Sequence, residues 1–204
     1  MELEIDGRAK GLIFDLDGTI ADTMPIHYIA WRNAAARYGI DFTAGLFEQL
    51  AGVPLYPTVE RLNELFGKKI NPQEMGDAKE REYEQNMGKM KPVEPVISLI
   101  KRYHGKLPMA VGTGGLTRLA WRTLELVGVD QLIDVLVSSE DVRHYKPHPE
   151  TFLRCAELMN VEPSACQVFE DGVLGIQAAK GAGMMVTDVR AYYTVTIGKE
   201  VYEG

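Results

Sequence analysis

The sequence predicts an α/β fold: a parallel sheet wrapped by helices, with a helical segment inserted after the first strand. Three observations predict it. Short, mostly apolar runs of strand length recur without helical spacing. Helical patterns separate the later runs, and that alternation is the signature of a parallel sheet covered by helices. Between the first run and the second lies a stretch too long for a simple crossover, with no convincing strand in it.

Taken in chain order, Leu12–Asp15 is the first strand. Met24–Tyr38 then reads as a helix stopped by Gly39, and Pro57–Phe66 as another stopped by Gly67, while Pro72–Met90 is charged and mainly helical. Prolines near Asp22–Pro25 and Lys91–Pro95 punctuate the ends of this segment. Residues 24–91 are therefore expected to form a helical subdomain set into a core of residues 1–23 and 92–204. Met109–Thr113 is the second core strand. Leu116, Leu119, Ala120, Thr123, Leu124 and Val127 follow at helical spacing, with Gly128 placed as a C′ residue. Ile133–Ser138 is the third strand. Pro149 suits a first helical position, Phe152, Cys155, Ala156 and Met159 share a face, and Asn160 can end that helix. Gln167–Glu170 and, with a weaker pattern, Met184–Val189 complete the sheet.

Composition narrows the function. The chain has 204 residues, 46% hydrophobic and 25% charged, as an ordinary globular protein does. A balance of 22 basic against 29 acidic residues gives a net charge of −7, which argues against a nucleic-acid footprint or a polybasic membrane patch. No apolar run is long enough to span a bilayer, and the start, MELEIDGRAK, lacks the pattern of a signal peptide. Cys155 and Cys166 make neither a disulfide framework nor a zinc cluster, so a cytoplasmic protein with reduced thiols is the expectation. The acidic run around Glu80–Glu84 reads as a solvated helix face, and Trp31 and Trp121 as packing residues.

Four motifs carry chemistry. Asp15 and Asp17 stand two residues apart at the carboxyl end of the first strand, so both point to one side while the chain stays extended. Ligands of open parallel sheets bind at that end. One acid could be a nucleophile toward phosphorus and the other a proton donor and acceptor; two helix-capping aspartates are the plainer reading. Thr113, followed by Gly114-Gly115, could form an anion cradle from a hydroxyl and exposed N–H groups, or simply cap a helix. Lys146 lies between prolines' reach in Tyr145-Lys146-Pro147-His148-Pro149, at a helix entry where the dipole disfavours a cation. A bound phosphate would compensate that cost; otherwise it is a surface lysine. Glu170-Asp171 at the end of another strand offers adjacent hard oxygen ligands suited to Mg2+, or an Asp171 N-cap. Each plain reading stands alone, but four such coincidences at one sheet edge do not. His144 and His148 flank Lys146 with no metal-ligand partner at suitable spacing.

In this order the four motifs resemble those of the haloacid-dehalogenase superfamily of Mg2+-dependent phosphotransferases, across almost the whole chain. The stretches Gly11–Ile20, Pro108–Gly114 and Val168–Asp171 are most similar to its beta-phosphoglucomutase-like subgroup, especially to bacterial fructose-1-phosphate/6-phosphogluconate phosphatases. The resemblance implies a three-layer Rossmann-like core with strand order 3-2-1-4-5 and an inserted helical cap. It makes Asp15 the nucleophile and a Mg2+ ligand, and Asp17 the general acid/base with its carbonyl on the metal. Thr113 and Lys146 would hold the transferring phosphate, with Gly114 in the same cradle. Asp171 and Glu170 would complete the metal shell. His27 matches a cap-entry histidine that contacts substrate in the mutase relatives, or is a helix-surface histidine. Specificity is expected around Gly52–Tyr56.

The resulting expectation is a phosphatase of small sugar phosphates, with no nucleic-acid or membrane partner. A hexose-phosphate mutase and a non-catalytic binding protein on the same fold are the alternatives. In the mutase relatives, the loop resembling Leu50–Leu55 carries a lysine just before its glycine and an arginine three residues after; here those positions are Ala51 and Leu55, though Arg61 or Lys89 could lean in from elsewhere on the cap.

Overall fold

The computed structural model describes residues 2–50 and 52–193. They fall into two compact units, one built from residues 2–22 and 91–193, the other from residues 23–90.

The first unit holds a five-stranded sheet. In chain order the elements of this unit and its insertion are β1 (Gly11–Phe14), β2 (Ala21–Asp22), α1 (Met24–Ala36), α2 (Ala44–Leu50), α3 (Leu55–Phe66), α4 (Pro72–Asn86) and β3 (Lys91–Pro92). Then come α5 (Glu94–Tyr103), β4 (Met109–Gly112), α6 (Thr117–Leu126), β5 (Val135–Val137), α7 (Glu150–Met159), β6 (Cys166–Glu170), α8 (Val173–Gly181) and β7 (Met185–Asp188). The large sheet runs β5-β4-β1-β6-β7 with every pairing parallel. Counting only its own strands in chain order, that is the expected 3-2-1-4-5.

Why these strands are continuous apolar runs follows from the pleat. Alternate residues point to opposite faces, and both faces are covered. Leu12 and Phe14 join one buried cluster, with Val96 and Ile100 of α5 and Ala120 and Leu124 of α6. Ile13 joins the other, with Phe152 and Cys155 of α7 and Ala178 of α8. Helix, sheet and helix thus make three layers. β1 sits at the centre, in register with Val111 of β4 and Phe169 of β6 at Phe14. Phe14 and Phe169 stack with ring centroids 5.0 Å apart.

The second unit is helical. Its core contains Trp31 of α1, Phe42, Leu62 of α3 and Met75 of α4. Asn71 caps α4, its side chain accepting from the Gln73 N–H at 2.9 Å. Trp31 packs against Phe42 as expected of a core residue, whereas Trp121 is 37% exposed.

The structure differs from the sequence reading in several local ways. β5 is shorter than Ile133–Ser138, and α3 begins at Leu55, two residues before Pro57. α2 is an additional short helix. Ala21–Asp22 and Lys91–Pro92 pair antiparallel, a ladder too short to carry any sequence periodicity. The Glu80–Glu84 stretch is not a uniformly solvated face: Tyr83 is fully buried and Glu80 turns inward to Lys79.

Candidate active site

Three of the four motifs emerge at the carboxyl ends of neighbouring strands. Asp15 follows β1 directly, Thr113 follows β4, and Glu170-Asp171 close β6. The Asp15 N–H donates to the Phe169 carbonyl at 3.0 Å, continuing the β1–β6 ladder and fixing where the Asp15 side chain leaves the backbone. Lys146 comes from the loop before α7 and reaches the same edge. Its Nζ donates to Asp15 Oδ1 at 2.7 Å and to Glu170 Oε1 at 3.0 Å.

None of the plain readings holds. Asp15 and Asp17 cap no helix, because α1 starts after Thr23. Thr113 does not cap α6, which begins at Thr117 after Leu116; its hydroxyl accepts from the Gly115 N–H at 3.0 Å and lies 3.5 Å from Asp17 Oδ2. Gly114 beside it is exposed, with open space where a Cβ would stand. Asp171 is not an N-cap, since α8 is preceded by Gly172 and no side chain caps it. The Lys146 side chain is only 11% exposed, so it is no surface lysine.

Gly18 is required by the turn that carries Asp17. Its φ is +90°, and a Cβ there would stand 2.8 Å from Asp171 Cγ. Asp171 lies against this bare backbone, and its Oδ1 accepts from the Thr19 hydroxyl at 2.9 Å. Glu170 is held from two sides. Oε2 accepts from the Gly172 N–H, Oε1 from Lys146, and its Cγ would stand 2.8 Å from a Cβ on Gly175. Small residues in the first turns of α8 make room for that carboxylate.

The electrostatics follow from this crowding. Burial pushes the Asp15 carboxyl well above its ordinary value; Lys146 opposes that, while Glu170, Asp171 and Asp17 add to it. Burial first, then Glu170, pushes Asp171 up to about 7. Burial alone would lower Lys146, but Asp15 and Glu170 outweigh it and keep the ammonium charged. Four carboxylates thus converge, and Lys146 is the cation bonded to two of them. A hard divalent ion supplies the missing positive charge, and an all-oxygen donor set is what Mg2+ selects, so the residues fit that ion. Both Glu170 oxygens accept hydrogen bonds, Oε1 from Lys146 and Oε2 from the Gly172 N–H, so this carboxylate is oriented toward the lysine beside Asp171.

In the helical unit, His27 is half-buried and no simple surface histidine. Its ring stacks on Tyr83 at 4.1 Å, and its Nδ1 is 3.0 Å from Lys79 Nζ. Lys79 is 4% exposed and pairs with Glu80 at 2.9 Å. Sequence reasoning missed this lysine, because a charged helix reads as solvated; its spacing from the buried Met75 and Tyr83 was the available signal. Arg61 pairs with Glu64 at 2.6 Å on the exposed face of α3. Gly52 takes a positive φ of 81° ahead of α3, and Ala51 lies outside the described residues. Tyr193 was also missed. Its hydroxyl is buried without a hydrogen-bond partner among the described residues, and burial followed by Asp171, Asp22 and Asp15 raises its pKa.

A family model described as haloacid dehalogenase-like hydrolase matches residues 12–189. The chain is a haloacid dehalogenase-like hydrolase. Among relatives of this hydrolase, the fructose-1-phosphate phosphatase YqaB of Escherichia coli (strain K12) is 40% identical over 184 residues, covering 90% of this chain and 97% of its own. A beta-phosphoglucomutase of Bacillus subtilis (strain 168) is 30% identical over 189 residues, covering 88% of this chain and 83% of its own. The crystal structure of beta-phosphoglucomutase from Clostridium difficile superposes on the hydrolase with a TM-score of 0.79 at 26% identity, over 95% of each chain.

Proposed function

We propose that this hydrolase is a Mg2+-dependent phosphatase of small sugar phosphates that works through an aspartyl-phosphate on Asp15. The observation that carries the reading is the buried Asp15 carboxylate, held 2.7 Å from Lys146 amid Asp17, Glu170 and Asp171 at the carboxyl edge of the sheet.

The Asp15 carboxylate attacks phosphorus as the bond to the sugar oxygen breaks, and Asp17 gives its proton to that departing oxygen. Asp17 then takes a proton from water as the water attacks the aspartyl-phosphate, which releases inorganic phosphate and restores both acids. Lys146 offsets the repulsion between the anionic phosphate and Asp15, and the Thr113 hydroxyl and the open backbone at Gly114 receive the phosphate oxygens. Asp15, Asp171 and the Asp17 carbonyl would hold Mg2+, with Glu170 orienting Lys146 behind them. When bound, the ion neutralises charge on the transferring phosphoryl group.

The substrate class rests on the 40% identity to a fructose-1-phosphate phosphatase. The 30% identity to a beta-phosphoglucomutase favours a second reading, a hexose-phosphate mutase. A mutase needs cap cations for the phosphate that is not being transferred. The stretch Gly52-Val53-Pro54-Leu55-Tyr56-Pro57 has none, and Lys79 already has Glu80 at 2.9 Å. His27 and Gly52 would then meet a neutral polyol. The test is beta-glucose 1-phosphate supplied with catalytic glucose 1,6-bisphosphate, alongside fructose 1-phosphate. Phosphate release should dominate and vanish in Asp15→Asn; glucose 6-phosphate formation far outpacing phosphate release would establish the mutase instead.

A further inference from the structure

The sequence leaves His144 and His148 without a metal-ligand partner, and the fold corrects this. A turn closed by the His148 N–H donating to the Tyr145 carbonyl at 2.9 Å brings the chain back on itself. The two imidazoles then face each other with ring centroids 4.6 Å apart. The first residue of α7, Glu150, stands between them. Its Oε2 is 2.7 Å from His144 Nδ1 and 3.9 Å from His148 Nδ1. Each of the three side chains offers a ligand atom, and those atoms all lie within 4.8 Å of one another. Among the described residues no other trio of His, Cys, Asp or Glu meets that spacing.

We propose that His144, His148 and Glu150 form a binding site for a borderline-soft divalent transition ion of the Zn2+ class. Two imidazole nitrogens and a carboxylate oxygen are a recurrent three-ligand zinc set, completed by water. The imidazoles distinguish it from the all-oxygen cluster at the sheet edge, which suits Mg2+. Zn–N bonds of about 2.0–2.1 Å in a tetrahedron put ligand atoms about 3.4 Å apart. The observed 2.7 and 3.9 Å bracket that spacing, and a bound ion at His148 Nδ1 would replace the Glu150 N–H that donates to it at 3.3 Å. The carboxylate is already oriented: Oε1 accepts from the Arg143 N–H at 2.8 Å and Oε2 from the His144 N–H at 3.0 Å. Such backbone bonds to a ligating carboxylate fix its direction. The imidazole side chains are 64% and 50% exposed, which leaves the site open to ion and water.

The experiment titrates Zn2+ calorimetrically into the full chain under saturating Mg2+, with Co2+ substitution read by its visible d–d absorption. The wild type should take up a further zinc equivalent and show the intense bands of tetrahedral cobalt. His144→Ala and His148→Ala should each weaken that uptake at least about tenfold, since even outer-layer changes at metal sites cost about 10–100-fold, with unchanged circular dichroism. Asp171→Asn should retain it. No uptake by the wild type, equal uptake by His148→Ala, or loss of the equivalent in Asp171→Asn would each overturn the proposal. Because the readout is binding, it stands or falls separately from the phosphatase reading.

Discussion

Replacing Gly175 by alanine separates two effects of opposite sign. An alanine in a helix is favoured over glycine by about 1 kcal/mol, so the change alone would stabilise α8. Against that, the new Cβ would stand 2.8 Å from Glu170 Cγ and closer still to the carboxylate. Ordinary carbon contacts are about 3.5–4.0 Å, so the buried Glu170 must move by roughly 1 Å or more. It then forfeits its bonds to Lys146 and to the Gly172 N–H. Hydrogen bonds to charged groups contribute about 1.5–3 kcal/mol each, giving a gross loss of about 3–6 kcal/mol and a net loss of about 2–5. For a chain of this size that lowers Tm by roughly 10 °C. The decisive assay is a double-mutant cycle by chemical denaturation. On a Glu170→Ala background the obstacle is gone, and Gly175→Ala should stabilise by up to about 1 kcal/mol. Equal effects on the two backgrounds would refute the packing argument.

Excess EDTA should abolish phosphate release and Mg2+ should restore it, while Ca2+, larger and less octahedral in its demands, should inhibit; full turnover in EDTA would refute the metal assignment. Asp22 has its carboxyl raised by burial, opposed by Lys91, and its Oδ1 is buried without a partner among the described residues. Its folded pKa exceeds its unfolded one, so its contribution is present in full below about pH 4 and is lost as pH rises through the folded value. Asp22→Asn should therefore gain stability over wild type from acid to neutral pH, and a Tm difference independent of pH would contradict this. Burial pushes the Cys166 thiol up to about 11 and Cys155 higher, so neither should react with a disulfide reagent until the protein is denatured; titration of the native thiols would count against their burial.

What could be read from the sequence was set by how much local pattern each feature leaves. Strands buried on both faces are unbroken apolar runs, and the acids sit immediately beyond them, so β1, β4 and β6 and the motifs at their ends were legible together. The two-residue β2–β3 ladder leaves no period to detect. Sequence shows that Glu170 and Asp171 are adjacent but not which way Glu170 points; that is decided by Lys146, far back in the chain, and by the room that Gly175 leaves in α8. The grouping of His144, His148 and Glu150 depends on a turn that folds the loop back, so spacing along the chain hid it. Lys79 was hidden by its charged neighbours, whose exposure says nothing of the residue facing inward.

The β2–β3 pairing sets the points where the chain leaves the first unit and returns to it side by side, with Ala21 opposite Pro92. To the sheet, the 68 residues from Thr23 to Met90 are one long surface loop. Closing a loop of that length costs only about 0.6 kcal/mol more per doubling. The pinned ends also remove the register problem a longer connection would create. The insertion is therefore a replaceable cassette. Bridging Asp22 to Lys91 with a tight turn would make a simple β-hairpin of β2 and β3, and the remaining chain would keep every strand, both buried clusters and the whole acidic edge. Selection can exchange one helical insert for another without renegotiating the chemistry beneath it.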